Sequence, residues 1–136
     1  MKTPFPLCFR RFGLAAGACL ALLACAPMIA TVPSTIEVTQ PSEATKRIQL
    51  LAAASVELDT GYSRTLADKS VWSRVGRVPQ GDVYRPVGTV FTIEGRQVHE
   101  AYLVIRDGNL VGFYLPGEQN YSPVIPAVAL NLGELE

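Results

Sequence analysis

The chain has 136 residues, which is enough for one small domain. Apolar residues make up 49% of it and charged residues 18%, a composition that excludes a wholly disordered chain. Basic and acidic residues balance at 12 each, but three basic residues precede residue 12, which leaves nine basic against 12 acidic residues and a net charge of −3 downstream. Because nucleic-acid binding needs a basic surface that displaces phosphate counterions, we expect no nucleic-acid partner.

All three cysteines, Cys8, Cys19 and Cys25, lie at the N-terminal end of the chain. The remainder therefore has no disulfide framework, no cysteine-based metal site and no cysteine nucleophile. Its stability must come from an ordinary hydrophobic core. We expect neither a metal ion nor another cofactor.

The first 24 residues have the composition of an export signal. Residues 1–11 (MKTPFPLCFRR) are positively charged, and residues 12–24 (FGLAAGACLALLA) form an uncharged apolar run of 13 residues. As a helix, that run would span only about 20 Å, which is shorter than the ~30 Å hydrocarbon core of a bilayer. The segment is therefore predicted to be a cleaved signal peptide rather than a transmembrane helix.

The end of this segment, Leu22-Leu23-Ala24-Cys25, resembles the lipobox of bacterial lipoproteins. The resemblance covers residues 1–25 only, and Leu23 is larger than the residue usual at its position. It implies that the signal is removed before Cys25, that Cys25 is acylated, and that several acyl chains anchor the protein durably. Ala26, in place of an aspartate, implies sorting to the outer membrane. An ordinary signal peptide, cut for instance after Ala30, is the alternative.

The next segment, residues 25–42, is predicted to be a flexible tether because it holds Pro27, Pro33 and Pro41, several Ser and Thr, and no aromatic residue. Residues 43–55 allow two interpretations. Ser42 could cap a short helix in which Ala44, Ile48, Leu51 and Ser55 share one face, or the stretch is an irregular lead-in. A strand is expected from about residue 55.

The rest of the domain, residues 43–136, has the pattern of a β-meander. Turn signals recur every 7–14 residues, and apolar runs rich in β-branched and aromatic residues lie between them. The predicted strands are VWSRVGRV (71–78), VYRPV (83–87), TVFTI (89–93), QVHEAYLVI (97–105) and LVGFYL (110–115).

The strongest local prediction is a hairpin over residues 103–115, where Asp107-Gly108 offers the positive φ of a tight turn. Both flanking strands are apolar without alternation, so we expect both of their faces to be covered. The tail, residues 122–136, is predicted to be irregular chain that leads to a last edge strand near 127–132. The fold class is all-β, a small single-domain barrel or sandwich with tight hairpins.

Two motifs resemble catalytic or metal-binding patterns without fitting them. His99 is the only histidine, and in a strand its neighbour Glu100 points to the opposite face, so the two cannot form a base and its orienting partner. We interpret His99 as bridging a strand and a turn, or as lying at an exposed edge. Asp107–Glu118 matches EF-hand spacing at four positions, but Val111 offers no ligand oxygen, and a hairpin explains the same residues. No nucleophile elbow is present, and we expect no enzyme activity.

One group of residues is a candidate interaction surface, because arginine next to aromatic residues suits carboxylate, phosphate or sugar recognition and is enriched at protein interfaces. Tyr121 is added from the predicted surface loop PGEQNYSP. Arg74 and Arg77 differ by three positions and need not share a face of a regular strand. The candidates are Trp72, Arg74, Arg77, Tyr84, Arg85 and Tyr121.

These observations favour a lipoprotein held in the outer membrane by acyl chains on Cys25, with its domain in the periplasm. We expect it to act as a non-enzymatic structural or assembly component that binds an envelope protein, as accessory lipoproteins of secretion, conjugation and pilus machines do. The alternative is a binding module for peptidoglycan or lipopolysaccharide fragments.

Overall fold

A computed structural model of the chain describes residues 27–40 and 45–135, and every regular element in those residues is a β-strand. The lipobox and Cys25 lie outside the described residues. The strands are β1 Val32–Pro33, β2 Glu37–Val38, β3 Arg47–Leu50, β4 Ala54–Glu57, β5 Ser63–Leu66, β6 Val71–Val78, β7 Gly81–Pro86, β8 Thr92–Glu94, β9 Val98–Glu100, β10 Tyr102–Arg106, β11 Asn109–Leu115, β12 Asn120–Ala129 and β13 Leu132–Leu135.

Nine strands form one antiparallel sheet in the order β1-β12-β11-β10-β7-β6-β3-β13, with β2 pairing alongside β6. The other four strands form two separate hairpins, β4–β5 and β8–β9. The hairpins pack against the large sheet, because Val56, Leu66 and Ile93 belong to the same core cluster as its inward-facing residues. The sheet ends at β1 and β13 without closing on itself, so of the two predicted architectures the protein is a sandwich.

The central strands β10 and β11 are buried on both faces, as the absence of alternation predicts. Leu103 and Phe113 face the core shared with the hairpins, while Val104 and Tyr114 belong to a second cluster on the opposite face. The Asp107-Gly108 hairpin between them is confirmed, with φ of 52° and 75° at its two turn residues. Each fully buried side chain contributes about 1.5–3 kcal/mol, so these two strands hold much of the stability of the fold.

The segment predicted to be a flexible tether is instead attached to the sheet over its described residues, 27–40. β1 pairs with β12 and β2 pairs with β6. Ile29 is buried in the main core, and Ile36 packs on the second cluster around Val104 and Tyr114. The segment is extended, as its prolines predict. It is held on the sheet because its side chains cover part of the apolar second face.

The short helix considered for residues 43–55 is wrong over its described residues, 45–55, which contain β3 and β4. Ile48 and Leu50 are both buried, while Leu51, on the predicted helical face, is 53% exposed. Burial at positions two apart is the period of a strand rather than of a helix. The sequence is compatible with both a strand period and a helix period here, and the pairing of β3 with β6 and β13 selects the strand.

Most of the predicted strands are present, and β6 has the predicted bounds. The predicted strand over 97–105 is instead divided into β9 and β10, which lie in different sheets. The tail differs, because β12 continues to Ala129 through both of its prolines and the edge strand is β13, which starts at Leu132. Between Gly112 and Leu110 the register of β12 shifts, from Pro123 to Val128, and this irregularity accommodates the prolines. No helix in the described ranges is long and apolar enough to cross a membrane.

We predict that Gly112→Ala destabilises the domain. A Cβ at this position would clash with the ring of Tyr121 and would lie 2.5 Å from the backbone oxygen of Ser122, inside the central sheet. Overpacking of this kind costs about 1–3 kcal/mol, which urea unfolding of the purified protein would measure. Gly117→Ala is the control, because a Cβ there meets nothing within 4 Å. Equal stability of the two variants would contradict the close packing of β11 on β12.

We also predict that stability falls above about pH 10, because burial raises the pKa of four tyrosines, Tyr84, Tyr102, Tyr114 and Tyr121. Below the ordinary tyrosine pKa of about 10, each is neutral in both states and has no effect. Above it, the unfolded chain loses these protons first, so the free energy of unfolding falls as the pH rises and levels off only above the folded pKa.

Chemical denaturation at about pH 8 and about pH 11 would measure this fall in the free energy of unfolding. Tyr114→Phe removes one of the four titrating groups, and Tyr114 is almost fully buried. The variant should therefore lose less stability between the two pH values than the natural protein. A fall as steep in Tyr114→Phe as in the natural protein would contradict the role of this side chain.

Candidate binding groove

The aromatic members of the predicted interaction surface lie in the core. Trp72 and Tyr84 are 3% and 4% exposed, and Tyr121 is 7% exposed, with its hydroxyl donating to the backbone oxygen of Val111 at 2.7 Å. Strand alternation does place them on faces of the sheet, but both faces are covered. These three side chains therefore cannot form a contact surface in the folded domain.

The three arginines of that surface are linked through Arg74, which shares an ion-pair partner with Arg77 and a depression with Arg85. Arg74 Nη2 and Arg77 Nε donate to the same oxygen, Oδ1 of Asp82, at 3.2 and 3.1 Å. A register shift between Arg74 and Gly76 adds one residue to β6, so positions three apart lie on one face. Arg85 is exposed and lines a depression that Arg74 and Tyr102 also line. The structure therefore brings the predicted arginines together around Arg74, but without Trp72, Tyr84 and Tyr121, which are buried.

His99 bridges a strand and a turn, in agreement with one of its two interpretations. Its Nδ1 lies 2.7 Å from Oε1 of Glu118, which belongs to the turn between β11 and β12. Within the described residues, neither His99 nor Glu118 forms a hydrogen bond with a serine hydroxyl. In the same part of the chain, no group of three or more His, Cys, Asp or Glu side chains is placed to hold a metal ion. Residues 107–118, which carry the EF-hand spacing, form the turn between β10 and β11, strand β11 and most of the turn before β12.

A groove of about 560 Å³ opens between the β5 hairpin strand and the large sheet. One wall is formed by residues 64–67 of β5 and the turn after it, and the other by the start of β6 and by residues 86–91, which connect β7 to β8. Apolar side chains make up much of its lining, among them Val87 and Val90, which are both exposed. Such a volume is within the range of ligand and peptide sites in proteins.

The floor of the groove is continuous with the core. Phe91 stacks on the fully buried Phe113, with 5.8 Å between ring centroids, and meets the edge of Trp72 at 5.5 Å. The guanidinium carbon of Arg64 lies 4.8 Å from the centre of the Phe91 ring. This cation–π contact orients the Arg64 side chain across the groove floor. Its Nε is buried and has no hydrogen-bond partner in the described structure.

Among the described residues, every charged side chain that lines the groove is a cation: Arg47, Arg64 and Lys69. Within the described ranges, none of the three forms an ion pair. Positive charge beside an apolar floor attracts carboxylate or phosphate groups, and a partly desolvated site strengthens that attraction. The groove is therefore suited to an anionic ligand that also carries apolar groups.

Strand β5 presents a free backbone edge at this groove. It pairs only with β4, and residues 63–66 make no backbone hydrogen bond to another described element. The exposed side chains of Ser63 and Thr65 point away from the buried Leu66. An unpaired strand edge of this kind accepts an extended peptide as an additional strand.

Comparison of this chain with protein-family models, with curated proteins and with solved structures finds no match. No sequence pattern indicates this groove, because Arg64 and Phe91 are far apart in the chain and share no motif. After residue 42 the chain has seven arginines and two lysines, and this bias towards arginine is the single sequence signal that includes Arg64.

We predict that Phe91→Ala destabilises the domain strongly, because Phe91 is 6% exposed and links the groove floor to Phe113. Truncation of a buried phenylalanine costs about 3–5 kcal/mol. Val90→Ala is the matched control, since Val90 lines the same groove but is 67% exposed. Thermal unfolding of both variants would test the prediction, and a similar small shift in both would show that Phe91 does not support the core.

Proposed function

We propose that this protein is a lipid-anchored, non-enzymatic lipoprotein of the bacterial envelope, which binds an extended segment of another envelope protein in the groove beside β5. The single observation that carries the proposal is the combination of a free strand edge with an apolar, cation-lined groove. Backbone pairing along β5 would supply affinity, and acidic side chains of the partner would meet Arg64, Arg47 and Lys69.

The anchor in this proposal is Cys25, acylated after cleavage of residues 1–24. The Leu22-Leu23-Ala24-Cys25 lipobox supports acylation, and Ala26 supports placement in the outer membrane with the domain in the periplasm. Anchoring confines the domain to a thin layer, so that even a weak peptide contact occurs at high effective concentration. An assembly component of a membrane machine would use its anchor in this way.

A binding role is favoured over catalysis by the chemistry of the groove. Its described lining contains cations but no carboxylate, histidine or cysteine, the side chains that most often act as a general base. His99 is placed instead against Glu118, where it joins β9 to the turn before β12. Their arrangement supports a structural role for the pair.

A second candidate, a binding module for lipopolysaccharide or peptidoglycan fragments, is supported by the same cations. A phosphorylated amphiphile would place its phosphate near Arg64 and its apolar portion on the groove floor. This candidate makes no use of the free edge of β5. Crosslinking of a protein partner from β5 therefore distinguishes the two candidate functions.

The first experiment is a pull-down of the full-length tagged protein from detergent-solubilised membranes, beside Cys25→Ser and Arg64→Gln. We expect a stoichiometric envelope protein that Cys25→Ser fails to retain. Arg64→Gln should weaken its binding about tenfold, the loss expected for one charge-assisted hydrogen bond. Arg106→Gln is the control, because its side chain is exposed and lies outside the groove.

A photocrosslinker at Thr65 should capture the same partner, whereas one at Arg106, which is exposed and lies outside the groove, should not. Crosslinking from both positions, or from neither, would contradict binding along β5. No protein partner, together with Arg64-dependent retention on lipopolysaccharide or on sedimented cell-wall sacculi, would favour the second candidate.

A further inference from the structure

The N-terminal segment is attached to the domain very close to the lipobox. Ile29, only four residues after Cys25, is 7% exposed and belongs to the main core cluster. It packs on the tip of the β8–β9 hairpin, where a Cβ added to Gly95 would lie 2.7 Å from its side chain. Because Gly95 has no side chain, the side chain of Ile29 can pack directly against the backbone of this turn.

This attachment limits how far the domain can move from an anchor at Cys25. Four residues span at most about 14 Å even when fully extended. The headgroup layer of a bilayer is itself about 5–8 Å thick on each side. A tether that ran freely to residue 42 would have allowed much greater separation, but pairing of β1 and burial of Ile29 remove that freedom.

We infer that the anchored domain is held against the bilayer with the β8–β9 tip facing the lipid headgroups. This inference rests on the proposed acylation of Cys25 and names the surface that the anchor presents to the membrane. Met28 and Val98, beside the tip, are 67% and 64% exposed apolar side chains. Arg96 at the tip is an exposed cation that can contact lipid phosphates.

The same geometry orients the binding groove. Phe91 and Thr89, which line the groove, precede β8, whereas the tip at Gly95 follows it. The three residues of β8 separate the two ends by about 10 Å. The groove therefore lies at the end of this hairpin that faces away from the membrane, where a periplasmic segment of another protein can reach it.

Depth-dependent fluorescence quenching tests this orientation. The full-length acylated protein carries a fluorophore on Gln97→Cys at the tip or on Thr89→Cys at the groove, both of which are exposed positions. Acylation of Cys25 and removal of the other two cysteines with the signal leave the introduced cysteine as the single free thiol. The protein is reconstituted in phosphatidylethanolamine and phosphatidylglycerol vesicles that contain a nitroxide-headgroup lipid. We expect several-fold stronger quenching at position 97 than at position 89.

A third variant tests whether the short attachment causes the orientation. Insertion of about ten Gly and Ser residues between Pro27 and Met28 adds roughly 17 Å of mean reach without changing the lipobox or Ala26. Quenching at position 97 should fall towards that at position 89. Unchanged quenching in this variant would show that the short attachment does not set the orientation, and would overturn the inference.

Two further outcomes are distinguished by intact mass. An acylated protein with equal quenching at both positions would overturn the inference and leave the proposed lipoprotein function standing. A protein whose mass shows no acyl chains on Cys25 would overturn the anchoring proposal and this inference together.

Discussion

Burial of β10 and β11 on both faces is the constraint on which the rest of the fold depends. Leu103 and Phe113 require a cover on one side of the sheet, and Val104 and Tyr114 require one on the other. The β4–β5 and β8–β9 hairpins cover the first face, and the N-terminal segment with Ile36 covers part of the second. A sheet with only one covered face would leave a large apolar surface in water. The N-terminal segment is therefore a structural part of the domain.

The groove follows from how the first face is covered. Two short hairpins that do not pair with each other leave a gap beside β5, and the floor of that gap is made of core residues. Phe91 belongs to both the core and the groove floor. It stacks on Phe113, and the guanidinium of Arg64 lies over its ring. A ligand in this groove would therefore contact a residue that also stabilises the core. A free strand edge, an apolar floor and cations that form no ion pair with the described residues occur together because the covering layer is incomplete.

The position of the N-terminal segment links this groove to the proposed anchor. Burial of Ile29 against Gly95 brings the domain close to residue 25, and β8 then separates the anchored end from the groove. A lipoprotein built in this way would present its binding site in a restricted direction. Its anchor would supply orientation as well as local concentration, and both increase the frequency of productive encounters with a membrane-bound partner.

The sequence by itself determined the features that depend on neighbouring residues. The Asp107-Gly108 turn needs two positive φ angles, and β6 is delimited by its own apolar run and the turns around it. The all-β class and the lipobox resemblance are local signals of the same kind. Residues 45–55 were ambiguous, because Ile48 and Leu50 fit a strand while Ile48 and Leu51 fit a helix, and pairing with β6 and β13 decided between them.

Only the tertiary structure decided which side chains are accessible. Strand alternation places Trp72, Tyr84 and Tyr121 on faces of the sheet, but covers contributed by distant segments bury them. A one-residue irregularity in β6 brings Arg74 and Arg77 to one carboxylate, and its position depends on the pairing with β7. The groove joins Arg64 to Phe91 across separate elements. Local sequence specifies backbone conformation, whereas exposure and proximity depend on long-range packing, which no short stretch of this chain encodes.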